Sequence, residues 1–175
     1  MSDLMSSIKD LRQITGAGFL DCKKALEENN QDIEISIDFL RKKGLAKAGK
    51  KSSREAKEGA VGIYSNEKFT SIIQINTETD FAAKNDIFLD FMDSIGDFSL
   101  QVENSSLSLD GFNNLKFENI LITDHFKNII AKIGENIVLS KLILIDNSES
   151  TIISKYIHNT YRKNIGKIVV TLEIN

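Results

Sequence analysis

The sequence predicts an α+β protein: a three-helix bundle over 1–45, a basic linker over 46–57, and an α+β unit over 58–175 whose small antiparallel sheet packs on helices. Three observations carry this expectation. In the first segment apolar residues recur at helical spacing, with caps and glycines between the runs. In the last segment, alternating apolar runs are separated by helix-patterned stretches. Between the two lies a lysine-rich run with few apolar residues.

Leu4, Ile8 and Leu11, ahead of Arg12, begin an amphipathic helix. Thr15-Gly16-Ala17-Gly18 ends it, because two glycines within three residues permit positive φ. Phe19, Cys22, Ala25 and Leu26 mark a second helix, stopped by Asn29-Asn30. Asp32 is placed to cap a third, with Ile33, Ile37 and Leu40 inward and Phe39 beside them. Gly44 follows Arg41, Lys42 and Lys43 and fits a C-terminal stop, since cations complement a helix's negative end. A bundle of about 45 residues is marginal by itself.

The basic run comprises Lys42, Lys43, Lys47, Lys50, Lys51, Arg54 and Lys57, loosened by Gly49 and Ser52-Ser53. It reads as a solvated linker helix. No aromatic residues are interleaved to stack bases, and the net charge is −3, so direct nucleic-acid binding is not expected. Residues 59–64 and 68–75 read as a hairpin around Ser65-Asn66-Glu67. A helix to about Gly96 or Leu100 follows, with Ile87, Phe88, Phe91, Met92 and Ile95 at its spacing. The polar segment 102–119 reads as a loop with a short helical piece. Phe126, Ile129, Ile130 and Ile133 then place a helix over 122–133 that stops at Gly134. Strands follow over 136–145, 152–157 and 167–173.

Composition narrows the class. Charged residues make up 27% and hydrophobic ones 41%, and no apolar run approaches the ~20 residues that cross a bilayer. The first ten residues have neither the apolar core of a secretory signal nor Arg-rich transit character. Cys22 is the only cysteine and lies on the apolar side of its helix, so it reads as a small buried hydrophobe in a reducing, cytoplasmic compartment. There is no P-loop, no dinucleotide fingerprint, no His-Glu-x-x-His and no Gly-x-Ser-x-Gly, and the two histidines are far apart. An enzyme is therefore not expected, nor a cofactor, nor a bound metal.

The chain changes character at Asn76-Thr77-Glu78-Thr79-Asp80-Phe81-Ala82-Ala83-Lys84-Asn85, where a strand turns into a helix. Thr79 and Asp80 sit where a capping oxygen meets the free N–H groups of the first turn. Phe81 has little helix ahead of it to pack on. The residues alone leave two placements open: a core or staple ring at the corner, or an acid–aromatic pair presented to a partner.

Thr79-Asp80-Phe81-Ala82-Ala83-Lys84-Asn85 resembles the Thr-Asp-Phe-Val-Ala-Lys-Asn signature of elongation factor Ts, departing at Ala82 and, upstream, at Thr77 where Cys is common. Further segments join it. Leu11-Arg12, Thr15-Gly16-Ala17-Gly18, Asp21-Cys22-Lys23-Lys24-Ala25-Leu26 and Leu40-Arg41-Lys42-Lys43-Gly44 resemble the family's ubiquitin-associated (UBA)-type opening bundle. Ile129-Ile130-Ala131-Lys132-Ile133-Gly134-Glu135-Asn136-Ile137 resembles its Lys-Ile-Gly-Glu-Asn signature. Tyr156-Ile157-His158 with Ile165-Gly166 resembles its closing hairpin, although loop 159–164 is longer than usual and lacks the customary glycine.

The resemblance implies a guanine-nucleotide exchange factor for elongation factor Tu. It implies that Asp80 and Phe81 disturb the partner's Mg²⁺ region, and that Lys23, Ile133, Gly134 and His158 also meet the GTPase. Longer family members continue into a second, related subdomain, so a short or C-terminally truncated form that pairs as a homodimer is an expectation as well. Two rivals are a UBA-like adaptor using only 1–45 and an RNA-associated protein using 42–57.

Overall fold

Capping residues and glycines set several of the helix ends in the computed structural model, which describes residues 4–102, 104–147 and 152–174. Residues 1–3 of the polar start, Glu103 of the polar segment and Asn175 lie outside the described residues. Helices α1 (Leu4–Thr15), α2 (Phe19–Glu28) and α3 (Ile33–Lys51) surround a cluster of Ile8, Leu11, Cys22, Ala25, Leu26 and Leu40. Gly16, at φ 68, ends α1 while the Thr15 hydroxyl donates to the Leu11 carbonyl at 2.6 Å. Asp32 Oδ1 accepts from the Ile35 N–H at 2.9 Å and starts α3. The buried Ser36 hydroxyl donates to the Ala25 carbonyl at 3.1 Å and ties α3 to α2.

Helix α3 does not stop at Gly44. It runs on to Lys51, so the first part of the basic run is helix. Gly44 lies where α3 passes another helix, and a methyl there would stand 2.9 Å from the Ala131 Cβ. Its small size serves this close approach, and no turn is made.

Beyond the bundle come β1 (Glu58–Ser65), β2 (Phe69–Thr77), α4 (Asp80–Ala83), α5 (Asp86–Ser99), α6 (Leu109–Asn113), β3 (Lys116–Phe117), β4 (Ile120–Leu121), α7 (Ile122–Ile133), β5 (Ile137–Asp146), β6 (Ile152–Arg162) and β7 (Ile165–Ile174). Five strands form one antiparallel sheet in the order β5-β2-β1-β7-β6, and β3 pairs with β4 separately. In the β1–β2 turn, Asn66 Oδ1 accepts from the N–H groups of Lys68 and Phe69 at 2.8 and 2.7 Å. The main core gathers Ile73, Ile75, Phe88, Met92, Ile95, Phe112, Ile122, Ile137 and Ile165 between sheet and helices.

Two expectations change here. The helix after the signature is broken: α4 ends at Ala83, and Asn85 caps α5 afresh, its Oδ1 accepting from the Ile87 N–H at 2.9 Å. The new start re-phases the helix, so Leu89 is buried and Ile87 is exposed. The segment 159–164 is not a loop either. Strand β6 runs to Arg162 and β7 resumes at Ile165, with a bulge between Thr160 and Arg162 and Asn159 at φ 50. The bulge re-aims Arg162, whose guanidinium donates to Asp90 at 2.7 Å and to Asp93 at 3.0 Å on α5.

Candidate partner-binding site

Strand β2 delivers the chain to the corner, and α4 turns it. Thr79 is the N-cap, in extended backbone, with its Oγ1 accepting from the Ala82 N–H at 3.3 Å. The next residues split by size. Ala82 and Ala83 are buried against the sheet, Ala83 completely. Two methyl groups let this single turn lie close to the strands, which leaves Asp80 and Phe81 on the outside. Phe81 is 83% exposed. Of the two placements open in the sequence, the core one is not found: the ring lies in solvent.

Asp80 is also half in solvent, its side chain 49% exposed, and it accepts from Lys84 Nζ at 2.8 Å one turn on. That hydrogen bond holds the Asp80 carboxyl below the usual carboxylate range and raises the Lys84 ammonium. Lys84 also stands 5.9 Å from the centre of the Tyr161 ring. Asn85 is exposed at the head of α5. The corner thus offers an apolar ring, an acid and a cation within one helical turn.

The second signature abuts the first. Ile133 ends α7 half-buried, and Gly134 follows at φ 88, a left-handed stop that favours glycine. Glu135 then reaches back: its carboxylate accepts from the Thr79 N–H at 3.0 Å and the Thr79 hydroxyl at 2.7 Å. Glu78 does the converse, accepting from the Asn136 N–H at 2.6 Å. The buried Asn136 amide donates to the Arg54 carbonyl at 2.6 Å, and Lys51 Nζ donates to the Gly134 carbonyl at 2.5 Å. Arg54 lies 3.5 Å from Glu78. The end of the basic run is therefore fastened to both signatures.

Two other residues singled out in the sequence stand elsewhere. Lys23 is on α2, half exposed, with Glu27 at 3.7 Å in the same helix. His158 lies on β6, exposed, with its Nδ1 3.2 Å from the Tyr156 hydroxyl. Cys22 is buried, and burial pushes its thiol up. Sequence reasoning missed the carboxylate contacts of Glu78 and Glu135. Their partners are 58 and 56 residues away, beyond any periodicity.

Residues 78–175, beginning at this corner, match the family model described as Elongation factor TS. The chain belongs to the elongation factor Ts family. It is similar to curated elongation factor Ts proteins of Allorhizobium ampelinum (39% identical over 169 residues, 95% of this chain and 54% of the relative) and Sinorhizobium fredii (40% over 174 residues, 99% and 56%). It is also similar to that of Methylorubrum extorquens (38% over 169 residues, 95% and 54%). The chain spans about half the length of these curated relatives. Among the described residues, no helix is long and apolar enough to cross a membrane.

Proposed function

We propose that the chain binds elongation factor Tu carrying GDP, in the cytoplasm, and speeds release of the nucleotide without making or breaking a covalent bond. The observation that carries this is Phe81, a large ring left in solvent at a corner whose backbone is pinned from both sides. An exposed ring on a fixed turn gains most by entering a partner. Full burial contributes about 1.5–3 kcal/mol. Asp80 enters beside it as a charge near the partner's Mg²⁺ region. Magnesium requires near-octahedral geometry, so a small displacement of its protein ligands weakens its hold and that of the diphosphate. Linkage makes the effect reciprocal: whatever the chain costs GDP binding, GDP costs the chain's binding.

In this reading Thr79, Ala82, Ala83, Lys84 and Asn85 shape the inserting corner, and Ile133 and Gly134 extend the contact. The helices α1–α3 form a UBA-like docking unit that uses Lys23, and the end of the basic run orients it. His158 contributes from the β6–β7 ribbon, whose apolar face also supports pairing of two copies.

The experiment is stopped-flow release of a fluorescent GDP from elongation factor Tu. Phe81→Ala should slow stimulated release at least tenfold and leave the melting temperature within a degree or two, since the ring has no packing to lose at home. Unchanged release would remove the insertion model.

A further inference from the structure

We propose that Glu135 is a positioning residue that holds the Thr79–Phe81 corner rigid, as one half of a reciprocal carboxylate clasp with Glu78. The inference rests on the exchange reading only for its effect on GDP release; the clasp itself is judged without a partner.

Helix α4 has four residues, too few to be stable as an isolated helix. Phe81 is in solvent, so it has little of its own chain to anchor it. Buried Ala82 and Ala83 and the Thr77 hydroxyl, which donates to the Thr79 carbonyl at 2.7 Å, hold the turn's inner side, and the cap that sets its leading end depends on Glu135. A hydroxyl has a single proton. Thr79 gives that proton to Glu135 Oε1, which leaves an oxygen lone pair facing the Ala82 N–H. The other carboxylate oxygen takes the Thr79 N–H. One carboxylate therefore sets both the backbone and the rotamer of the capping residue. In return, Glu78 takes the Asn136 N–H, next to Glu135 in the chain. Two segments more than fifty residues apart exchange carboxylate–amide bonds, so each corner is fastened to the other by a bond of its own. Charged acceptors make these bonds stronger than neutral ones.

The chain contains no tryptophan, so Phe81→Trp gives a single emitter at the exposed position. In the free, full-length protein, Glu135→Ala should at least double the amplitude of the fast local component in the anisotropy decay of that probe. Thr79→Val, cutting the clasp from the other side, should do the same. Glu135→Gln keeps the shape but only one of the two acceptor oxygens, and should fall between the parent and Glu135→Ala. By amide hydrogen exchange, Glu135→Ala should speed the Thr79 N–H about tenfold or more and spare Asn136; Glu78→Ala should do the converse.

With elongation factor Tu, Glu135→Ala should lower the maximal GDP-release rate about tenfold with a less than twofold change in half-saturating concentration. Added to Phe81→Ala, it should cost nothing further. A purely structural role would instead lower thermal stability and leave these ratios alone. Probe motion unaltered by both Glu135→Ala and Thr79→Val, a Thr79 amide already as labile as an open loop, or an additive loss in the double variant would each overturn the assignment. If Phe81→Ala alone left release unchanged, the exchange reading would fail, and anisotropy and amide exchange would still decide the clasp.

Discussion

Tyr64 is the residue whose surroundings are most constrained after the corner itself. Its ring is buried, a methyl on Gly96 would overlap it, and its hydroxyl donates to Asp93 at 3.0 Å. Desolvation, then the Asp93 charge, raises the phenol far above its ordinary value of 10.0. The folded-state pKa is raised, so the stability it confers is complete below pH 10 and is lost as the pH climbs beyond. A spectrophotometric alkaline titration should therefore show one of the three tyrosines ionising only as the protein unfolds. Tyr64→Phe should remove that late step and cost about 1 kcal/mol, since Asp93 keeps Arg162. A late step that survived in the variant would contradict this. At this scale the sequence was half legible. An aromatic at a helix start suits either a core or a surface, and the small size of Ala82 and Ala83 tipped Phe81 outward. No local pattern announced Glu78 or Glu135, because each acts on a backbone amide in another part of the chain.

The elements were legible wherever a cap or a left-handed glycine stood at their ends: Asp32, Asn66 and Gly134 all sit where the residue types placed them. The pattern failed where the reason lay in packing. Gly44 followed three cations and resembled a stop, yet α3 continues because Gly44 lets it meet α7 closely. Gly→Ala inside a helix ordinarily gains about 1 kcal/mol. At Gly44 the added methyl meets Ala131, so Gly44→Ala should gain little and Gly44→Leu should lose about 1–3 kcal/mol by overpacking. Urea unfolding of the two variants distinguishes the readings; a clear gain for Gly44→Ala would mean the crossing gives way freely. The Lys84-Asn85 break was equally hidden: Asn85 is an ordinary polar residue in sequence and a cap in the fold.

At the scale of the molecule, the sheet is well covered on α5 and α7 and bare at one end. Among the described residues β1 pairs with β7 at Val61 and Gly62, and the far part of β6–β7 extends as a two-stranded ribbon. The register puts Ile152, Tyr156, Ile168, Val170, Leu172 and Ile174 on one face of it, and all are exposed. Such a ribbon is marginal in water without something against it. The sequence showed the apolar run but not its nakedness, since alternation in 167–173 looks the same whether or not a layer lies on top. If two ribbons cover each other, the weight-average mass by sedimentation equilibrium should rise from one chain towards two as concentration increases. Val170→Lys should hold it at one, by placing an ammonium in the covered face while leaving the main core untouched. A mass of one chain at every concentration for both proteins would assign that face to elongation factor Tu or to solvent, and Val170→Lys would then be read out in the GDP-release assay, where a raised half-saturating concentration marks the ribbon as part of the partner's footprint.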